Sequence, residues 1–119
     1  IEPLPESLYL VNSKMFAAYL CDNYHFGMGG FGCIELTMPE QMRKILSGLQ
    51  KSKIPIEDLE FWRVHISIDE EHGKTWFNQM LHLVSNEHEA EECLQGGMFL
   101  LEARATMYDG IWNLISKME

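Results

Sequence analysis

In the nine residues from Val64 to His72, two imidazoles and a carboxylate stand four and three positions apart: His65, Asp69 and His72. On an α-helix those steps keep the three side chains within an arc of roughly 60°. Neutral imidazole nitrogen and carboxylate oxygen together suit iron, manganese or zinc, and a set without thiolate leans away from structural zinc. Phe61 before the trio, and Trp76 and Leu83 after it, fall on the same face, while Glu60, Arg63, Glu70, Glu71, Lys74 and Asn78 collect opposite. The amphipathic pattern predicts that the trio's face is buried. Burying titratable groups without partners costs on the order of several kcal/mol each. Either Asp69 pairs with a cationic His65 or His72 as an internal polar network, or a metal ion compensates all three. Two histidines flanking one aspartate on an apolar stripe favour the metal.

The elements that must carry these residues read as helical, with no period-two alternation over a strand's length. A first helix is expected from about Pro5 to Cys21, with Pro5 in its first turn and Leu8, Val11, Met15, Ala18 and Tyr19 facing the core. Asp22 to Gly27 reads as a connection, followed by an apolar helical segment from Met28 to Leu36. The glycines Gly27, Gly29, Gly30 and Gly32 match no phosphate-binding pattern and point to close helix packing or to room for a ligand beside the backbone. Thr37-Met38-Pro39-Glu40 has the form of a capping box, so a new helix is expected from there to about Leu49. The helix with the trio is predicted from Ile56 or Glu57 to Val84, its acidic first turn suiting the positive end of the dipole. Asn86 and Glu89 offer a cap for a last helix to about Lys117, in which Gly96 and Gly97 mark a bend or a close contact.

At 119 residues the chain is a single helical domain or the C-terminal part of one. Its 46% hydrophobic content suits a globular core, and no apolar run approaches the roughly 20 residues of a membrane span. With 18 acidic residues against 9 basic ones the net charge is −9, which argues against a nucleic-acid partner. Cys21, Cys33 and Cys93 are odd in number and lack CxxC spacing, as buried reduced cysteines of a cytoplasmic protein would be.

Between Gly27 and Pro39 the one charged residue is Glu35, on a face shared with Met28, Phe31 and Met42. It either reaches solvent near a helix end or joins the trio as a fourth ligand, and the trio favours the second. A carboxylate from one helix facing an imidazole and carboxylate set from another is how helical bundles hold di-iron centres.

Glu35 within Gly32-Cys33-Ile34-Glu35-Leu36-Thr37-Met38-Pro39, followed by His65-x3-Asp69-x2-His72, resembles the C-terminal half of the haem-oxygenase-like di-iron oxidases, also described as iron-containing redox enzymes. The stretch from about Gly27 to Leu83 carries the resemblance. It implies an all-α fold, part of a haem-oxygenase-like helical bundle, often a homodimer. It implies Glu35, His65, Asp69 and His72 as metal ligands, two iron ions per complete site, and O2 as co-substrate. Enzymes of this kind oxidise small amines, amino acids or fatty acids by N-oxygenation, desaturation or C–C cleavage. They also take a glutamate and a histidine from an earlier core helix, and His25 stands too close to Glu35 for that role. The resemblance therefore implies that the remaining ligands come from a missing N-terminal portion or a companion chain. No catalytic residue beyond the metal ligands is singled out.

Other uses of the same superfold remain. Haem would need an axial histidine without a carboxylate beside it, and a thiamin-type hydrolase would leave the trio unexplained. A ferritin-like protein would repeat Glu-x-x-His on two helices. A non-catalytic metal-binding or dimerisation module is the alternative of a different class. Phe31, Phe61, Trp62 and Trp76 read as core more readily than as a substrate pocket. His82, His88, Glu70 and Glu71 read as solvent-facing.

Overall fold

The computed structural model describes residues 2–118, and among them all regular structure is helical. α1 spans Pro5–Met15 and runs on into a π-helical turn, Phe16–Leu20, which ends where Cys21 turns extended. α2 spans Tyr24–Lys51, α3 spans Glu60–Leu83 after a 3₁₀ turn at Ile56–Leu59, and α4 spans Glu87–Ile115. No helix among the described residues is long and apolar enough to cross a membrane. The all-α class expected from the sequence holds among the described residues.

The chain divides into two compact units, one made of residues 1–33 and 84–119, the other of residues 34–83. In the first, α1 packs on α4. The expected core face of α1 is not the one buried. Leu10, Ser13 and Ala17 are inside, whereas Leu8, Val11, Met15 and Tyr19 remain 46%, 54%, 49% and 76% exposed, and Ala18 is exposed as well. α1 approaches α4 closely at Gly110, where an added Cβ would lie 2.8 Å from the Glu6 side chain. Glycines also mark the close approach of α2 and α4. A Cβ on Gly29 would lie 1.9 Å from the Cys93 carbonyl oxygen, and one on Gly96 would lie 1.8 Å from that of Phe26. Close packing, rather than a bend or a ligand, accounts for these glycines. Phe16, Phe26 and Phe99 form an aromatic cluster at centroid distances of 5.4–6.4 Å, with Phe16 still 42% exposed.

α2 begins earlier than expected because Asn23 caps it, its Oδ1 accepting the Phe26 N–H at 2.9 Å. It then continues without a break through Thr37 and Pro39, so no new helix starts there. The Thr37 hydroxyl donates back to the Ile34 carbonyl at 3.3 Å instead of capping a following turn. An internal proline costs about 3 kcal/mol in an isolated helix. Here the Pro39 ring is buried, which offsets part of that cost.

The second unit is a helical hairpin. α2 ends in a Schellman-type turn: Lys53 takes a left-handed φ of 59°, with Lys53 N–H bonded to Gln50 O and Ile54 N–H to Leu49 O. In α3 and the turn before it the less exposed positions include Leu59, Trp62, Ile66, Asp69, Gly73 and Met80, at heptad-like spacing, and at Gly73 α3 comes close to the α2 backbone. This seam is rotated by roughly 60° from the face centred on the histidine and aspartate trio. Consequently Asp69 is buried, while His72, Phe61, Trp76 and Leu83 are exposed and His65 is half-buried. The expectation that the whole trio is buried is corrected: one partner helix covers one stripe, and Gly73 draws that stripe to its own side.

In α4 the predicted Asn86 cap is present, its side chain accepting the Glu89 N–H at 3.0 Å. The Glu89 carboxylate reaches back to the Ser85 N–H at 2.6 Å, completing a reciprocal cap.

Candidate metal centre

Three of the four expected ligands converge. Glu35 from α2, and Asp69 and His72 one helical turn apart on α3, present ligand atoms that all lie within 4.8 Å of one another. His72 Nδ1 stands 3.6 Å from a Glu35 oxygen and 3.8 Å from an Asp69 oxygen. The side chains grade from inside to outside: Asp69 is 9% exposed, Glu35 27% and His72 61%.

The donor set fits a divalent metal on physical grounds. Two carboxylates this close repel by on the order of a few kcal/mol at an effective dielectric near 20, less where water screens Glu35. A cation between them reverses the sign of that interaction, and an imidazole nitrogen with two carboxylate oxygens suits iron, with no thiolate to draw zinc. The residues Glu35, Asp69 and His72 would hold the ion.

His65 is not among the converging groups. Its Nδ1 lies 2.6 Å from the Phe61 carbonyl one turn back, and its ring packs on the Phe61 ring at 4.1 Å. With Nδ1–H donated to that carbonyl, the lone pair resides on Nε2, the arrangement by which protein carbonyls orient ligating histidines.

A groove of about 280 Å³ runs beside Asp69, with Leu36, Pro39 and Gly73 as its apolar wall and Arg43, Glu70 and Lys74 among its polar residues. Arg43 of α2 bridges to Glu70 of α3 and lies 3.9 Å from Glu40. Glu70 is thus exposed, as its place opposite the trio predicted, yet it ties the two helices together. Glu71 pairs with Lys74 at 3.0 Å. Sequence reasoning passed over Gly73, where α3 comes close to the α2 backbone at Glu35 and Leu36, and read Pro39 only as the first turn of a new helix. A glycine directly after His72 was the available signal.

Elsewhere His25, in the first turn of α2 rather than in a loop, lies 3.4 Å from Glu92 and 3.7 Å from Glu89 of α4. His82 and His88 are exposed as expected, although His88 stands 3.5 Å from Glu92. All three cysteines are free thiols. Cys93 is buried but Cys21 and Cys33 are only half-buried. Burial pushes the Cys33 and Cys93 thiols up; nearby Arg104 moderates this at Cys33, while Glu92 and Glu89 reinforce it at Cys93.

Two carboxylates and an imidazole brought together from two helices of an all-α fold are a donor set that could hold a divalent metal ion. The family model described as iron-containing redox enzyme matches residues 1–105, and the chain belongs to that family. Membership makes it an oxidoreductase with iron as its metal. No curated protein and no solved structure matches the chain.

Proposed function

We propose that this chain supplies Glu35, His65, Asp69 and His72 as ligands of a non-haem di-iron oxygenase or oxidase, which activates O2 to oxidise a small amine, amino acid or fatty acid by N-oxygenation, desaturation or C–C cleavage. The observation that carries this reading is the convergence of Glu35 with Asp69 and His72 within 4.8 Å across two helices. Iron held there would supply open coordination positions and electrons to O2. Asp69, buried, Glu35, half-buried, and His72, at the solvent edge, would hold the ion. His65, whose Nδ1 lies 2.6 Å from the Phe61 carbonyl, has Nε2 as the nitrogen it would offer an ion, and it stands outside the convergent group.

The other ligands, a glutamate and a histidine, would come from an upstream portion or a companion chain, which, like a second copy in a homodimer, would cover the ligand side. The exposed apolar residues of α3 on the ligand side support such a cover: Phe61 is 56% exposed, Ile68 42% and Trp76 37%. Free thiols suit the reducing cytoplasm. A second reading, a non-catalytic metal-binding or dimerisation module, is favoured by the 61% exposure of His72, high for a catalytic ligand.

The test is anaerobic loading with Fe(II), followed by O2, recording O2 uptake and visible absorbance. O2 uptake proportional to bound iron, with a transient visible band, supports the oxidase. Iron that binds without consuming O2 supports a metal-binding module, and no bound iron sinks the oxidase and leaves only a dimerisation module.

A further inference from the structure

Gly73 directly follows His72 and lies where α3 comes close to α2. A Cβ built on it would sit 3.1 Å from the Leu36 Cα, 3.2 Å from the Glu35 carbonyl oxygen and 3.3 Å from the Glu35 carbonyl carbon. All three are backbone atoms, so no side-chain rotation relieves the crowding, and the helices would have to part by a few tenths of an ångström. The Glu35 carbonyl is also unusual within α2. Its helical partner four residues on is Pro39, which has no N–H to give. That oxygen is therefore free of the i+4 bond that would hold it along the helix axis, and Gly73 is packed against it.

Backbone and side chains are coupled at these positions. Glu35 contributes both the carbonyl that meets Gly73 and the carboxylate 3.6 Å from His72, the neighbour of Gly73 in sequence. Metal–ligand distances tolerate about 0.2 Å, so parting the helices by a few tenths of an ångström is enough to degrade a site. We propose that Gly73 and Pro39 are positioning residues: by letting the α3 backbone rest on the Glu35 carbonyl, they set the spacing of Glu35 against Asp69 and His72, and metal affinity depends on both though neither offers a donor atom. This rests on the metal reading above. Gly48, also in α2, supplies the control, because a Cβ there meets nothing within 4 Å.

The experiment is anaerobic titration with Co(II), a spectroscopic stand-in for Fe(II), of the wild type, Gly73→Ala, Pro39→Ala and Gly48→Ala, each checked for helix content by circular dichroism. Expected are visible Co(II) bands in the wild type and the same bands and affinity in Gly48→Ala. Gly73→Ala should weaken binding about tenfold and change the band intensities, which report coordination number, while helix content is kept. Pro39→Ala, which returns an N–H to the Glu35 carbonyl, should weaken binding several-fold. Wild-type affinity and bands in a folded Gly73→Ala overturn the proposal; should that variant lose its helix content, the same result in Pro39→Ala overturns it. A wild type that binds no Co(II) removes the metal reading itself, and the proposal with it. Normal wild-type binding with unaffected variants removes the positioning role alone.

Discussion

The Glu35 carboxylate of α2 and Nδ1 of His72 on α3 face each other at 3.6 Å, while beside them the α2 backbone at Glu35 meets Gly73. A side-chain pair and a backbone contact thus share the same two turns of helix, so ligand spacing and helix packing depend on each other.

The glycine contacts give one substitution two opposite outcomes. Gly96→Ala places a Cβ 1.8 Å from the Phe26 carbonyl oxygen, and overpacking of this kind costs about 3 kcal/mol or more. Gly48→Ala, in open space within an exposed stretch of α2, should stabilise by about 0.5–1 kcal/mol through helix propensity. Urea unfolding of both variants checks the signs.

Much of this architecture is legible in the sequence, and the failures share a cause. The Asn86 cap and the helical extent of α3 and α4 follow from spacing, and three of the residues singled out in sequence, Glu35, Asp69 and His72, converge in the fold. The inward faces of α1 and α3 do not. Periodicity gives weight to large residues such as Leu8, Met15, Phe61 and Trp76, whereas the buried positions include small ones, here Ser13, Ala17 and Gly73. Thr37 to Pro39 misleads for a related reason: a capping-box spacing also occurs inside a helix, and only burial of the Pro39 ring decides between the two. His65 shares the trio's arc, yet its bond to the Phe61 carbonyl keeps it out of the convergent set.

The reversed face of α1 has a direct consequence. Val11→Ser, at a 54% exposed position, should change stability by less than about 0.5 kcal/mol. Leu10→Ala, at a 7% exposed position, should cost about 2–5 kcal/mol. Thermal melts of the two variants distinguish this face from the opposite one, for which the order reverses.

Glu89 makes the reciprocal cap of α4 pH-dependent. The Ser85 N–H, with His25 and Asn86 assisting, holds its carboxyl below the usual carboxylate range against an opposing effect of burial. A depressed folded value contributes stability that is present above the unfolded value, near 4.3, and is lost as pH falls through the folded value. Wild type and Glu89→Gln should therefore differ in urea midpoint at about pH 6, with the gap closing toward about pH 3. A gap unchanged across that range contradicts the assignment.

The convergence of Glu35, Asp69 and His72 is tested most directly by counting iron. Anaerobic equilibrium dialysis against Fe(II) should show iron bound to the wild type, and its loss in Asp69→Ala, with helix content unchanged in both. His65→Ala should bind more weakly than wild type yet more than Asp69→Ala, since His65 lies outside the preformed set. Iron bound equally by wild type and a folded Asp69→Ala would contradict the account.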